Sequence, residues 1–143
     1  MRQMTESQWR DFVLTGTRTG KLATTRKDGR PHVTPVWFLL DDEGRLVFTT
    51  ADGSLKSKAL HREPRFALCV DDQAPPFSYV MLECAAEEFV EDLDVLRDWA
   101  TRISGRYMGA EQAETFGSRN AVPGEHLVRA RVERAVAYAD IAD

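Results

Sequence analysis

Two short turns that each carry aspartate and glycine, Lys27-Asp28-Gly29-Arg30 and Asp41-Asp42-Glu43-Gly44, separate segments rich in Val, Thr, Leu and aromatic residues. Asp-Gly suits a hairpin because glycine accepts the positive φ that a tight reversal needs. A connection this short cannot carry a crossover helix, so the strands it joins must run antiparallel. The pattern predicts a meander of three strands, Lys21 to Thr25, Pro31 to Leu40 and Leu46 to Thr50. Pro35 lacks the amide that a ladder uses. Its strand must therefore sit at an edge, carry a bulge, or be unpaired on one side there.

Helical periodicity appears on either side of further strands. Thr5-Glu6-Ser7-Gln8 has the form of a capping box, with Trp9, Phe12 and Val13 at helical spacing and Gly16 as the stop. Ser54 can cap a short helix running to about Leu60, which Glu63-Pro64 ends. Arg65 to Val70 and Phe77 to Phe89 read as strands around a proline-bearing loop. Asp92 can cap a helix carrying Leu96, Trp99 and Ile103. A shorter helical piece over Ala110 to Phe116 precedes a Gly/Ser/Asn/Pro-rich loop to Gly124, and His126 to Val132 and Ala135 to Ile141 read as two closing strands. With no repeats or linkers, one domain over residues 1–143 is expected. Its fold class is mainly β with inserted helices, an antiparallel sheet of six to seven strands rolled into a barrel that hides its edges.

Nineteen basic against twenty-three acidic residues give a net charge of −4, without the concentrated basic surface that nucleic-acid binding uses. No apolar run approaches the length of a membrane span, and Met1 to Glu6 has no apolar segment of the secretory kind. A cytoplasmic protein is the expectation. Cys69 and Cys84 sit in apolar runs rather than in a paired spacing, which reads as two free, buried thiols. His32, His61 and His126 are scattered without metal-ligand spacing, so no metal site is expected. No nucleophile elbow or phosphate-binding Walker loop is present, and nothing nominates a catalytic acid or base.

Two segments could carry binding chemistry. In Phe48 to Lys58 a strand ends in Thr49 and Thr50, a glycine loop follows, and a helix begins at Ser54 with Lys56 and Lys58 in its first turns. Free amides at a helix start, with the helix dipole, attract anions. From spacing alone, a capped surface helix with solvated lysines accounts for the segment better. In Thr34-Pro35-Val36-Trp37 the proline frees backbone groups and Trp37 offers a flat apolar wall, although an ordinary barrel strand with a core tryptophan fits equally.

Taken in order, Ala23 to Phe38, the Thr49 to Lys58 segment, and Glu63-Pro64-Arg65-Phe66-Ala67-Leu68 resemble one known family. It is the flavin and deazaflavin oxidoreductases with the split β-barrel fold, related to pyridoxamine 5′-phosphate oxidase. The resemblance runs from about Gly20 to Glu83 and returns at Val132 to Val136, and the helical Trp99 to Tyr107 region also fits. It implies a homodimer with cofactor in a groove between two barrels. Ser54, Lys56 and Lys58 match the phosphate-contacting positions, and Thr49 and Thr50 the strand end beside the ribityl chain. Thr34, Pro35, Val36 and Trp37 match the strand along the tricyclic ring, and Phe77 and Tyr79 the aromatic positions that approach from the partner subunit. Few residues follow Ile141, so the carboxy-terminal substrate segment of true pyridoxamine phosphate oxidases is not expected.

The activity so implied is hydride transfer between coenzyme F420 and a conjugated small-molecule substrate, with no side chain required as an acid. Arg26, Lys27 and Arg30 are candidates for the anionic tail of that cofactor. The alternatives are an FMN-dependent, pyridoxamine phosphate oxidase-like enzyme, or a non-catalytic flavin- or haem-binding protein.

Overall fold

A computed structural model describes residues 1–143. Its elements are β1 (Arg2–Gln3), α1 (Glu6–Leu14), β2 (Gly20–Thr25), β3 (Pro31–Val36), β4 (Leu39–Leu40), β5 (Leu46–Ala51), α2 (Leu55–Arg62), β6 (Arg65–Asp72), β7 (Ser78–Val90), α3 (Leu93–Met108), α4 (Ala113–Asn120) and β8 (Glu125–Ala139). At both turns the glycine stands at positive φ, +86° at Gly29 and +79° at Gly44. Each glycine amide donates to the carbonyl three residues back, Arg26 and Asp41, at 2.9 Å.

The sheet order is β3-β2-β6-β7-β8-β5-β4, with β1 added on β8. All pairings are antiparallel. The two ends of this order, β3 and β4, are consecutive in the chain and joined only by Trp37 and Phe38. The sheet must therefore roll until its outermost strands meet, and it is closed by a covalent link rather than a ladder. That is a split barrel. Pro35 lies on the edge strand β3, where its missing amide costs no ladder bond to a second neighbour.

Inward positions alternate along each strand, and Leu22, Phe38, Leu46, Phe48, Phe66, Leu68, Val70, Val80, Leu82 and Val128 form one apolar interior. Helix α1, held by the Thr5–Gln8 capping box, adds Trp9 and Val13 to it, while α2 adds Leu60. A smaller cluster lies outside the barrel, where Leu96 and Ile103 of α3 cover Val47 of β5 and Leu127 of β8. No helix is long and apolar enough to cross a membrane.

Three segments depart from the sequence reading. The strand over Pro31 to Leu40 breaks at Trp37 and Phe38, giving β3 and β4. The two closing strands are one strand, β8. Its pairing with β7 skips Glu133 between the Glu83–Arg134 and Cys84–Val132 pairs, and skips Glu87 on β7. Those two bulges bend the ladder without interrupting it, so the polar residues that resembled a turn are the bulge. The Gly/Ser/Asn stretch after Phe116 is helical through Asn120 rather than a loop.

Gly117 explains that last difference. A Cβ built there would lie 2.8 Å from the Cα and 2.9 Å from the amide of Thr101, so the glycine lets α4 pack directly on the backbone of α3. Alanine would gain about 1 kcal/mol in helix propensity. The clash falls on backbone that cannot move aside, with an overpacking cost of about 1–3 kcal/mol. Gly117→Ala is therefore expected to lower the urea midpoint, and a raised midpoint would show that propensity outweighs the close approach.

Candidate functional site

The first turn of α2 sets one end of a cleft. Ser54, at the cap position, accepts the Ser57 amide through Oγ at 3.1 Å and shares a 2.8 Å bond with the Thr50 hydroxyl from the end of β5. The first backbone-to-backbone bond of the helix runs from the Lys58 amide to the Ser54 carbonyl. The amides of Leu55 and Lys56 are left free at the positive end of the helix. Lys56 extends from this turn into a cleft of about 240 Å³ lined also by Pro35, Val36, Trp37, Thr49, Ala100, Ile103 and Asn120. The cleft lies outside the barrel, between the outward side of β5 and the helices α3 and α4.

Trp37 is fixed by its surroundings. Its ring stacks on Tyr107 at 5.2 Å with 6° between planes, and Phe116 of α4 tilts against it at 6.4 Å. Tyr107 donates its hydroxyl to the Arg18 carbonyl at 2.9 Å and accepts the Phe38 amide at 3.3 Å. Beside it, the Arg106 guanidinium donates to the carbonyls of Val13 (2.7 Å), Phe38 (2.8 Å), Gly16 (2.9 Å) and Arg18 (3.3 Å). Its carbon also sits 4.8 Å from the Phe38 ring centre and 4.7 Å from that of Tyr107. Burial holds the Arg106 pKa below the usual arginine value, and burial raises that of Tyr107, leaving both in the forms that donate here.

The model of the family described as pyridoxamine 5′-phosphate oxidase matches residues 5–138. The chain belongs to that family. Among solved structures, a conserved hypothetical protein from Mycobacterium tuberculosis is 28% identical, with a TM-score of 0.83 over 98% of this chain and 91% of that one. An F420 reductase is 25% identical, with a TM-score of 0.69 over 87% of this chain and 94% of that one. At 18% identity the haem storage protein HutZ from Vibrio cholerae shares the fold, with a TM-score of 0.72 and full coverage of both chains.

Of the residues matched to the pyridoxamine 5′-phosphate oxidase family by sequence, the fold brings Pro35, Val36, Trp37, Thr49 and Lys56 into the one cleft. Thr50 and Ser54 stand behind it, as the bonded pair that shapes the helix start. Thr34 is half-buried opposite Leu22, and exposed Lys58 points away from Lys56, as positions two apart on a helix must. Phe77 and Tyr79 lie elsewhere: Tyr79 pairs with Tyr138 on the outer side of β7 and β8. Arg26 and Arg30 both face Asp28 within their own turn, at 3.6 and 3.9 Å.

Ala100, Ile103 and Asn120 come from α3 and α4, and no local pattern distinguished them from ordinary helix residues. The same holds for Arg106 and Tyr107. Two of the scattered histidines are in fact neighbours, since the rings of His61 and His126 meet edge-on at 5.7 Å. No group of three or more His, Cys, Asp or Glu is arranged to hold a metal ion. The thiols are free and unactivated, Cys84 being pushed up to about 12 by burial and Cys69 raised for the same reason.

Removing the guanidinium takes the main donor from the carbonyls of Val13, Gly16 and Phe38, while that of Arg18 keeps Tyr107. Arg106→Ala is expected to cost about 3 kcal/mol of stability. Arg106→Lys recovers only part of it, because one ammonium cannot reproduce a planar fork shared among four acceptors. Urea denaturation of the three proteins measures this, and a lysine variant as stable as the parent would refute the clamp.

Proposed function

We propose that the chain is an oxidoreductase that uses coenzyme F420 to pass a hydride to a conjugated small-molecule substrate, as a cytoplasmic homodimer of a single split-barrel domain. One observation carries the reading: the cation at the start of α2 and the Pro35–Trp37 wall open into the same cleft. An anion held by a helix terminus and a flat heterocycle held by an apolar wall are the two ends of a flavin-like cofactor. The similarity to an F420 reductase supports this choice among the family's cofactors.

The residues present fit such a group. Lys56 and the free amides of Leu55 and Lys56 would hold a phosphate. Pro35, Val36, Trp37, Ala100 and Ile103 would face the ring, while Thr49 and Asn120 offer hydrogen bonds at its margin. When bound, the cofactor supplies the hydride. The chain's own part is to orient and to exclude water, which requires neither a thiolate nor a tuned acid.

One chain supplies only part of the enclosure, since about 240 Å³ is below the ~300–1,000 Å³ usual for ligand pockets. The aromatic pair expected at the ring, Phe77 and Tyr79, is on a different face. A second copy of the chain brings both sets to one ligand. The outer face of β2, β6, β7 and β8, where Lys21, Cys69, Met81 and Val136 are register neighbours and half-buried, has no helix over it. That is the face assigned to the partner. Met81→Arg is expected to convert a dimer to a monomer in sedimentation, and an intact dimer would move the interface elsewhere.

Fluorescence titration of the apo-protein with coenzyme F420, and in parallel with FMN, tests the cofactor. Tight F420 and weak FMN binding is expected, with Lys56→Ala weakening F420 about 10- to 100-fold, the worth of a charge-assisted bond. The reverse preference would assign an FMN-dependent, pyridoxamine phosphate oxidase-like enzyme. Binding without turnover of enones or quinones would assign a flavin or haem carrier. Binding of neither would overturn the reading.

A further inference from the structure

Beneath the first turn of α2, on the side away from the cleft, lies a titratable pair that the proposed chemistry does not use. Ser57 and His126 are 0% and 1% exposed, with Ser57 Oγ 3.3 Å from His126 Nε2. The Asp52 carboxylate, in the loop that leads into α2, lies 3.7 Å from Nδ1. That carboxylate favours the tautomer with the proton on Nδ1, so Nε2 accepts from the Ser57 hydroxyl. Every element around the imidazole contributes a known group, and β8 itself places next to it the Glu125 carboxyl, whose pKa burial raises and Lys56 lowers. Helix α2 supplies Ser57 and His61, whose own Nδ1 meets the Ser57 carbonyl at 2.8 Å. Strand β7 supplies the Phe89 ring and is followed by Glu91, and β5 supplies the neutral Thr50 opposite His126. Asp52 and Glu91 favour the charged ring, while burial and His61 oppose it, burial being the largest effect.

We propose that His126 is a positioning residue for the anion site at the start of α2, and that a proton on His126 and an anion on that helix terminus favour each other. This rests on the reading of α2 as the phosphate-holding element. Protonation at Nε2 reverses the Ser57 bond, so that the ring donates to Oγ, and it places a positive charge under the turn whose free amides and Lys56 face the ligand. An anion on that turn stabilises this charge. By reciprocity the charge tightens the anion by the same factor. The sign follows from the direction of the shift. With its proton affinity lowered in the free protein, His126 is neutral near pH 7, and affinity for the anion rises as pH falls toward 5.

The probe is sulfate, a dianion throughout this range, titrated at constant ionic strength between pH 8 and 5. Wild-type affinity is expected to rise about 5- to 10-fold over the range, a coupling of ordinary size. By NMR, the His126 ring pKa rises by about one in saturating sulfate, the same coupling seen from the other side. His126→Gln, which can still bond Ser57, loses the pH dependence, whereas His61→Gln keeps it. An unmoved imidazole pKa in the wild type, or an unchanged slope in His126→Gln, would overturn the proposal. Lys56→Ala separates the two failures. If it leaves sulfate affinity unchanged, the anion site itself is misassigned. If it weakens sulfate while the slope ignores His126, only the positioning role falls.

Discussion

A barrel whose outermost strands are joined by two residues needs something to hold that joint, because no ladder bonds cross it. In this chain the joint is Trp37 and Phe38, and Arg106 holds it. One guanidinium collects carbonyls from the end of α1, the loop before β2, and Phe38 itself, while the adjacent Tyr107 takes the Phe38 amide. Carbonyls at loop ends have no regular partner, and leaving a buried one unpaired is costly. A single planar cation satisfies all four and carries helix α3 with it. The cleft depends on the same contact, since the Tyr107 ring that braces the joint is also the surface on which Trp37 stacks.

What the sequence disclosed and what it concealed divide along a physical line. The turns at Gly29 and Gly44, the caps at Thr5, Ser54 and Asp92, and the alternation within each strand are local, and each was legible from neighbouring residues. That the Pro35 strand must be an edge, bulged or unpaired on one side was legible for the same reason, and the fold takes the first of these. Features that need two distant segments were hidden. Gly117 resembled a loop signal because its purpose is the backbone of Thr101, and Glu133 resembled a turn because its partner is a gap on β7. Arg106 lay in a helical region that fits the family but gave no sign of what it holds, for its acceptors are main-chain atoms, which leave no trace in residue identity.

The candidate site was legible only as an ordered resemblance. Five of its matched residues meet in one cleft, which neither the lysine-bearing helix nor the tryptophan strand implied alone. The cleft's third wall, Ala100, Ile103 and Asn120, comes from α3, whose amphipathic pattern is satisfied by packing against β5 and β8, and from α4, which packs on α3. Small and apolar residues that line a cavity are indistinguishable in sequence from those that fill a core. Tyr79 differs again: its place on the outer face of β7 makes sense for the cleft only with a second chain, and one chain's sequence carries no geometry between copies.

Helix α2 has two sides with unlike chemistry, and its period explains how. Lys56 faces the cleft, while Ser57, one position and roughly 100° further round, faces the closed end of the barrel. An apolar pair of the same shape could fill the space of Ser57 and His126 at little or no cost in stability, because a buried polar pair gains little over its desolvation. Leu60, on the same inward side, shows that the helix already buries apolar surface there. Stability alone therefore gives no reason for a fully buried imidazole at this point. The proposed role would supply a reason: the pair braces the first turn from inside, through a group whose charge a bound anion would change.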